Sequence, residues 1–240
     1  DMSLPLALLA GGLATRLQPL TEKFPKALIE INGIPFLSHQ LHLLSAAGIN
    51  KVVICAWYRG EMIQEFAGNG SEFGLDICYS FDGDSLLGTG GAIKNALPLL
   101  GDVFFVLYGD SYLPCDYQSV EKAFFKSTKD GLMTVFHNRD AGDKSNVLFA
   151  DGRIIRYDKK IHSAEMEHID YGLGVFRSNV FRDYPSGQAF DLAEVYQHLI
   201  NEERLAGHEV FDRFYEIGSF SGIRDLENYL KHASGEKNCE

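Results

Sequence analysis

Short apolar runs alternate with amphipathic segments along the first half of the chain, a pattern typical of mainly parallel strands joined by helices. The first run, residues 4–9, has the length and continuous apolar character of a buried strand. Apolar positions three and four residues apart predict a helix at 35–48, which ends on a glycine. By the same criteria, further strands are predicted at 51–57, 75–81, 103–108 and 132–136, and further helices at 61–67, 90–100 and 117–129. The sequence therefore predicts an α/β fold with a doubly wound, mostly parallel sheet.

The pattern changes in the second half of the chain. Two short strands are predicted on either side of Asp151-Gly152, a dipeptide that favours the tight turn of a β-hairpin. The strands predicted here lie at 146–149, 154–157, 171–176 and 211–217, and the helices at 191–201 and 219–232. We interpret this half as a small α/β elaboration on the sheet. Because no Pro-, Gly- or Ser-rich linker separates the halves, we expect one domain over 2–234, followed by a flexible tail at 235–240.

The composition limits the classes of partner. Of the 240 residues 45% are apolar, which is ordinary for a globular protein, and the formal net charge is −11. This charge disfavours long-range attraction to nucleic acid or to an anionic membrane, so an anionic substrate would need local cations. No run approaches the roughly 18 apolar residues of a membrane-spanning helix, and no secretory signal is visible. We therefore expect a cytoplasmic protein with no membrane partner.

A glycine turn follows the first predicted strand. Residues 4–9 lead into Gly11-Gly12, and the loop beyond carries Arg16 and Lys26. Glycines let backbone N–H groups approach a phosphate closely, and arginine and lysine are its usual cationic partners. This arrangement favours a nucleotide-phosphate site at the carboxyl edge of the sheet, although a plain tight turn remains open from these residues alone.

An aspartate ends another predicted strand at the same edge. The strand at 103–108 runs directly into Gly109-Asp110. A carboxylate in this position is well placed to hold Mg²⁺ on a nucleotide bound near the glycine turn. Capping of the following turn by Asp110 is the alternative that these residues leave open.

The segment 11–26 resembles the glycine loop of the sugar-1-phosphate nucleotidyltransferases, which is written G-G-x-G-T-R-L-x-P-L-T…P-K-P. The matching residues are Gly11, Gly12, Thr15, Arg16, Leu17, Pro19, Leu20, Thr21, Pro25 and Lys26. Two residues depart from the pattern: Ala14 stands at the third glycine, and Ala27 at the final proline. The resemblance covers nearly the whole chain with its motifs in the family's order. It implies the Rossmann-like fold that these enzymes share with type A glycosyltransferases, with a nucleotide-binding half at 2–137 and a sugar-phosphate-binding half at 138–234.

The same resemblance implies roles for individual residues. It assigns nucleotide binding to two glycine-rich turns, through Leu9, Ala10, Gly11, Gly12, Thr15, Arg16, Gly88, Thr89 and Gly90. It assigns Mg²⁺, the implied cofactor, to Asp110 and to Glu216, which stands where the family has an aspartate. It assigns the sugar phosphate to Gly109, Asp158, Lys159, Asp170 and Gly172. It implies that catalysis depends on Arg16, Lys26, Asp110 and Lys159. The proline of the family's E-K-P is missing after Lys159, so Lys160 remains an alternative to that lysine.

The implied reaction joins an NTP and a sugar 1-phosphate into an NDP-sugar and releases pyrophosphate. The segment L-G-T-G-G-A-I-K-N-A at 87–96 is most similar to a group of short family members, the D-glycero-α-D-manno-heptose-1-phosphate guanylyltransferases, so GTP is the favoured nucleotide. The N-acetylmuramate-1-phosphate uridylyltransferases come second, with UTP, and another NDP-sugar pyrophosphorylase is a further alternative. Because Ala14 and Glu216 depart from the pattern, a catalytically silent regulator that binds sugar nucleotides also remains open. The sequence does not exclude a homo-oligomer.

Overall fold

The computed structural model describes residues 3–12, 17–18, 22–139 and 143–236. Within these ranges the chain forms a nine-stranded mixed sheet, two small two-stranded sheets and six α-helices. The strands are β1 (Leu6–Leu9), β2 (Glu30–Ile31), β3 (Ile34–Pro35), β4 (Lys51–Ala56), β5 (Asp76–Phe81), β6 (Val103–Tyr108), β7 (Ser111–Tyr112), β8 (Gly131–His137), β9 (Val147–Ala150), β10 (Arg153–Tyr157), β11 (His168–Arg177), β12 (Leu205–Glu209) and β13 (Tyr215–Glu216). The helices are α1 (Phe36–Ala46), α2 (Gly60–Ala67), α3 (Gly88–Leu100), α4 (Tyr117–Ser127), α5 (Leu192–Asn201) and α6 (Phe220–Glu236).

The main sheet has the strand order β5-β4-β1-β6-β11-β8-β12. These strands are parallel to one another except β11, which runs antiparallel to both of its neighbours. The β9–β10 hairpin extends the sheet at the beginning of β11, where Val147 lies opposite His168. The carboxyl ends of the parallel strands therefore lie along one edge, and the mostly parallel α/β sheet expected from the sequence is confirmed.

Helices cover both faces of this sheet. Successive residues of β1 point to opposite sides, so Leu6 and Leu8 belong to one apolar cluster and Ala7 to another. The first cluster includes buried residues of α1, α2 and α4, namely Leu37, Leu41, Leu44, Ile63, Ala67, Val120 and Phe124. The second includes buried residues of α3 and α5, namely Ala92, Ile93, Ala96, Leu192, Val195 and Leu199. The sheet is thus doubly wound.

A third apolar cluster attaches α6 to the two small sheets. The β7–β13 pair places Tyr112 opposite Tyr215, and the ring of Tyr215 stacks on Tyr229 of α6 with centroids 4.5 Å apart. Leu226 of α6 is fully buried in the same cluster, with Ile31 of β2. These contacts hold β13 and the beginning of α6 beside the end of β6.

The structure differs from the sequence prediction mainly near the carboxyl terminus. The strand predicted at 211–217 is reduced to β13, because its pairing is with the two-residue strand β7. Strand β12 was not predicted, since its sequence L-A-G-H-E lacks a continuous apolar run, yet it pairs with β8 in parallel register. Helix α6 continues to Glu236, so residues 235 and 236 of the expected tail are helical, and 237–240 lie outside the described residues. No helix in the described part of the chain is long and apolar enough to cross a membrane.

The carboxyl ends of β1 and β6 approach each other at Gly109. The Gly109 N–H donates a hydrogen bond to the Leu9 carbonyl oxygen at 2.9 Å. A Cβ atom at Gly109 would overlap that same oxygen, and Ala10 lies within 3.0 Å of its position. Only glycine therefore fits at this position without a shift of the backbone.

Replacing Gly109 by alanine tests this close approach. Gly109→Ala is expected to lower the free energy of unfolding by about 1–3 kcal/mol, since the added methyl group must push two strand ends apart. Gly12→Ala is the matched control, because a Cβ there meets no atom of the described residues within 4 Å; its effect is expected to stay within about 0.5 kcal/mol. Urea unfolding followed by circular dichroism measures both. Equal unfolding midpoints for the two variants would contradict the packing described here.

Candidate active site

A cavity of about 250 Å³ opens at the carboxyl edge, between the ends of β1 and β6 and the beginning of α3. Many of the residues predicted for the site line it, namely Leu9, Ala10, Gly11, Gly12, Lys26, Gly88, Thr89, Gly109 and Asp110. Thr15 and Arg16 lie outside the described residues. Two turns that are far apart in sequence thus meet around one space, as the sequence predicts for a nucleotide.

Lys26 and Asp110 form an ion pair beside the cavity. The Lys26 Nζ atom lies 3.2 Å from the Asp110 Oδ2 atom, and the two side chains are 22% and 39% exposed. Asp110 follows β6 after one residue, Gly109, whereas Lys26 begins a short 3₁₀ turn after the glycine loop. Because both groups remain partly solvated, the pair contributes little to stability. Its main consequence is that a cation and a carboxylate are held together next to the glycine turn.

Glu216 approaches the same point from the other side. Pairing of β7 with β13 places Glu216 opposite Ser111, the residue after Asp110, and the Ile217 N–H donates to the Asp110 carbonyl at 3.0 Å. A Cβ atom built on Gly218 would lie 3.0 Å from Glu216 Oε2, 3.5 Å from Asp110 Oδ2 and 3.8 Å from Lys26 Nζ. Three charged groups therefore converge around one glycine.

The Glu216 carboxylate also holds the beginning of α6. Its Oε2 atom accepts the Gly218 N–H, and its Oε1 atom accepts the Ser219 hydroxyl at 2.6 Å. The Ser219 oxygen in turn accepts the Gly222 N–H at 3.1 Å. These bonds fix the orientation of the longer glutamate side chain, and each of its carboxylate oxygens keeps capacity for a further ligand.

The donor set at this point fits Mg²⁺. No group of three or more His, Cys, Asp or Glu side chains that could hold a metal occurs among the residues the structure describes. Magnesium in nucleotide sites is usually held by one or two carboxylates together with substrate phosphates. Asp110 and Glu216 supply two carboxylates of this kind, and they are the residues that could hold the ion.

The glycines of the turn at 88–91 pack against a neighbouring segment. The N–H groups of Gly90 and Gly91 donate to the Phe190 carbonyl at 3.0 and 3.2 Å. A Cβ atom at Gly90 would overlap the Phe190 ring, and one at Gly88, where φ is +71°, would lie 2.6 Å from the Phe190 oxygen. The glycines are thus required by contact with Phe190. Gly88 and Thr89 reach the cavity, whereas Gly90 lies behind it against that ring.

Lys159 and Asp158 have different surroundings. The Lys159 Nζ atom lies 3.0 and 3.2 Å from the two oxygens of Asp191, the residue before α5. The Asp158 carboxylate instead accepts the N–H groups of Lys160 and Ile161, and these bonds lower its pKa. Asp158 therefore stabilises its own turn, whereas the charge of Lys159 acts on Asp191 and Asp170.

Asp170 lies in a polar cluster next to the cavity. Its carboxylate accepts the Gly172 N–H at 3.0 Å and the Tyr108 hydroxyl at 3.3 Å. Burial raises the pKa of Asp170 to about 6, and the Gly172 N–H and the charge of Lys159 partly offset that rise. Gly172 has φ of +109°, and a Cβ there would contact Ser111 and Tyr108. Asp170 and Gly172 thus adjoin Tyr108, which lines the cavity.

Sequence reasoning missed Asp82, which also lines the cavity. Its Oδ2 atom accepts the Leu87 N–H at 2.8 Å. Burial raises the pKa of this carboxyl, and the Leu87 hydrogen bond opposes the rise. Asp82 follows β5 directly, as Asp110 follows β6 after one glycine, so the rule that identified Asp110 applies to it as well.

A second, larger cavity of about 1070 Å³ lies on the far side of Glu216. It is bounded by the carboxyl ends of β8 and β12 and by the beginning of α6. Within it His168 pairs with Glu209, at 3.1 Å between Nε2 and Oε2. Glu216 lines this larger cavity and adjoins Asp110 around Gly218, whereas Lys26, Asp110 and the glycine turns line the smaller cavity.

Known proteins resemble this chain over most of its length. An N-acetylmuramate α-1-phosphate uridylyltransferase of Neisseria meningitidis serogroup B is 27% identical, over 92% of this chain and 95% of its own. A D-glycero-α-D-manno-heptose 1-phosphate guanylyltransferase of Campylobacter jejuni is also 27% identical, over 88% of this chain and 93% of its own. The crystal structure of HddC from Yersinia pseudotuberculosis complexed with GMP-PN shares the fold, with a TM-score of 0.75, 22% identity and coverage of 95% of this chain and 100% of that one.

The family model described as nucleotidyl transferase matches residues 7–232, which include both glycine turns and the three converging charged residues. The chain therefore belongs to the nucleotidyl transferase family, as the resemblance of its glycine loop predicted.

Proposed function

We propose that this enzyme transfers a guanylyl group from GTP to D-glycero-α-D-manno-heptose 1-phosphate and releases pyrophosphate. The observation that carries the proposal is the convergence of Lys26, Asp110 and Glu216 beside the glycine turn and the 250 Å³ cavity. The guanylyltransferase relative supports this substrate pair. A uridylyltransferase of equal identity makes UTP with N-acetylmuramate 1-phosphate the second candidate pair.

The reaction is an in-line displacement at phosphorus. An oxygen of the sugar phosphate forms a bond to the α-phosphorus, and the bond from that phosphorus to the bridging oxygen of the β-phosphate breaks. Both reactants are anions, so the protein must bring negative charges together and neutralise them in the transition state. We assign the triphosphate to Arg16 and Lys26, and the acceptor phosphate to Lys26 and Lys159. No covalent intermediate is required.

Asp110 and Glu216 would hold Mg²⁺ at the point where their carboxylates converge. When bound, the ion would neutralise phosphate charge and orient the triphosphate. Asp110 is held for this role by Lys26, and Glu216 by Gly218 and Ser219. The carboxylates are thus oriented before a ligand arrives.

Asp82 supports guanine as the base. Guanine presents an N1–H and an adjacent amino group, two donors that a carboxylate can accept together. Uracil presents a single N–H between two carbonyl oxygens, which a carboxylate repels. The Leu87 N–H fixes Asp82 in the cavity wall through one oxygen, and this leaves acceptor capacity on the carboxylate for a base.

Asp170 supports a polyhydroxylated acceptor. Its carboxylate is an acceptor for sugar hydroxyl groups, and Tyr108 beside it offers a flat ring and a hydroxyl group. The glycine at position 172 keeps a side chain out of the same space, since a Cβ there would approach Tyr108 to 3.4 Å. A heptose 1-phosphate can use both features.

Pyrophosphate release across a substrate panel tests the proposal. The purified protein is assayed with Mg²⁺ and GTP, UTP, CTP, ATP or dTTP, each with the 1-phosphate of the heptose, mannose, glucose or N-acetylmuramate. GTP with the heptose phosphate is expected to turn over fastest. Faster turnover of UTP with N-acetylmuramate 1-phosphate would replace the proposed pair. Binding of nucleotide by calorimetry without turnover of any pair would contradict the proposal and favour a sugar-nucleotide-binding regulator.

Removal of either partner of the central ion pair tests the proposed roles. Lys26→Ala and Asp110→Ala are each expected to lower kcat about a hundredfold or more, near 3 kcal/mol, because each group acts on transition-state charge. The control is Lys23→Ala, which removes an exposed lysine from the same segment. Steady-state kinetics measures kcat, and thermal unfolding checks that the variants fold. A kcat near that of the wild type in either site variant would exclude the assigned role.

Titration of Asp170 predicts a pH dependence of stability. Since its pKa is about 6 in the folded protein and about 4 when unfolded, the unfolded state loses the proton first as pH rises. Stability attributable to this group therefore falls between about pH 4 and pH 6 and is constant above. Asp170→Asn removes this titration, so its melting temperature relative to the wild type should rise across that interval. A difference in melting temperature between Asp170→Asn and the wild type that does not change with pH would exclude a raised pKa at Asp170.

A further inference from the structure

We infer that Asp191 is a positioning residue: it fixes the ammonium group of Lys159 for the acceptor phosphate and ties it to the nucleotide turn through Thr89. The inference rests on the proposed function, which assigns Lys159 to the acceptor phosphate. Asp191 itself touches neither substrate in this account. Four sets of contacts support the inference.

The first contact is the ion pair itself. Lys159 Nζ lies 3.0 Å from Asp191 Oδ1 and 3.2 Å from Oδ2, with side-chain exposures of 41% and 51%. Lysine is a flexible side chain with three N–H donors. Bonding to one carboxylate restricts its rotamers and leaves N–H capacity for a phosphate oxygen. Without this restraint, the lysine side chain would lose more conformational entropy when the phosphate binds, and this would weaken phosphate binding.

The second contact anchors Asp191. Its Oδ1 atom accepts the Ala193 N–H at 2.8 Å, so Asp191 caps the amino terminus of α5. Burial raises the pKa of Asp191, but the Ala193 N–H and Lys159 outweigh that effect, and the net pKa lies below its usual value. The carboxylate is therefore ionised in neutral solution and cannot turn away without uncapping the helix.

The third contact links the pair to the nucleotide turn. The N–H of Leu192, the residue after Asp191, donates to the Thr89 hydroxyl oxygen at 2.8 Å. Thr89 lines the cavity proposed for the nucleotide. Through the main chain that joins Asp191 to Leu192, this bond connects the Asp191–Lys159 pair to Thr89 at the nucleotide turn.

The backbone beneath Lys159 is held by the same helix. The Gln197 side chain of α5 donates to the Tyr157 carbonyl at 3.0 Å, and the rings of Tyr157 and Tyr196 pack edge to face with centroids 5.8 Å apart. Helix α5 therefore holds Lys159 in two ways. Gln197 bonds to the main chain two residues before Lys159, and Asp191 bonds to the ammonium group of Lys159.

The test uses a substitution that keeps the cap and removes the charge. Asp191→Asn retains an oxygen that can accept the Ala193 N–H, because asparagine caps helices about as well as aspartate. The matched control is Asp116→Asn at the amino terminus of α4, where Asp116 accepts the Ser119 N–H at 3.1 Å on an exposed surface. Both variants lose the charge of a capping carboxylate, but only the carboxylate of Asp191 contacts Lys159.

In steady-state kinetics, Asp191→Asn is expected to raise the KM for the sugar phosphate about tenfold, because the phosphate must then order a lysine side chain that the carboxylate no longer holds. We expect the KM for the nucleotide and kcat to change by less than about threefold. Asp116→Asn should leave all three constants unchanged, and Asp191→Glu should recover part of the acceptor KM. The inference would be overturned if the two asparagine variants had equal effects. It would also be overturned if Asp191→Asn changed both KM values and kcat by the same factor.

A second readout does not depend on turnover. Acylation of Lys159 by acetic anhydride is followed by mass spectrometry with and without D-glycero-α-D-manno-heptose 1-phosphate, and the exposed Lys122 of α4 serves as an internal reference. The sugar phosphate is expected to protect Lys159 in the wild type and in Asp116→Asn, and to protect it less in Asp191→Asn. Protection without turnover would contradict the proposed function but support the role of Asp191. Equal protection in Asp191→Asn and the wild type would overturn that role.

Discussion

The arrangement of the site depends on the close approach of β1 and β6 at Gly109. The hydrogen bond from the Gly109 N–H to the Leu9 carbonyl brings the two strand ends together, and no side chain fits between them. The residue after Gly109 is Asp110, and the chain beyond β1 leads into Gly11-Gly12. A carboxylate and a glycine turn thus become neighbours because two backbones touch. Lys26, Glu216 and the 250 Å³ cavity are organised around that contact.

Local charges then compensate for the charge of the whole molecule. The chain carries a net charge of −11, which repels a nucleotide and a sugar phosphate at long range. Lys26 and Lys159 are each held by an aspartate, Lys26 by Asp110 and Lys159 by Asp191. Each aspartate fixes a cation in place, so a phosphate bound as proposed would meet an ordered ammonium group instead of a freely moving one. The site therefore depends on the orientation of charges more than on their number.

Much of this arrangement could be predicted from the sequence. The run at 103–108 ending in Gly-Asp placed Asp110 at the carboxyl edge, and the doubly wound sheet followed from alternating apolar runs and helices. The same pattern, an aspartate at the carboxyl end of a predicted strand, would also have identified Asp82. Strand β12 was missed because it is a half-exposed edge strand whose pairing with β8 is a tertiary contact.

Other features could not be predicted because they join distant segments. The start of α5 at Asp191 was expected, but its pairing with Lys159 is visible only once α5 packs on β10. The turn at 88–90 was assigned to nucleotide binding, whereas the structure shows Phe190 packed against Gly88 and Gly90. A sequence pattern identified these glycines, and only tertiary packing identified their neighbour.

The central claim is that the smaller cavity, with Asp110 and Glu216, holds the nucleotide and its metal ion. A crystal structure with Mn²⁺ and the β,γ-imido analogue of GTP tests it most directly, because Mn²⁺ is located by its anomalous scattering. We expect the nucleotide between the glycine turns and an anomalous peak in contact with both carboxylates. A nucleotide in the larger cavity beside His168 and Glu209, or a metal ion that contacts neither Asp110 nor Glu216, would contradict the account.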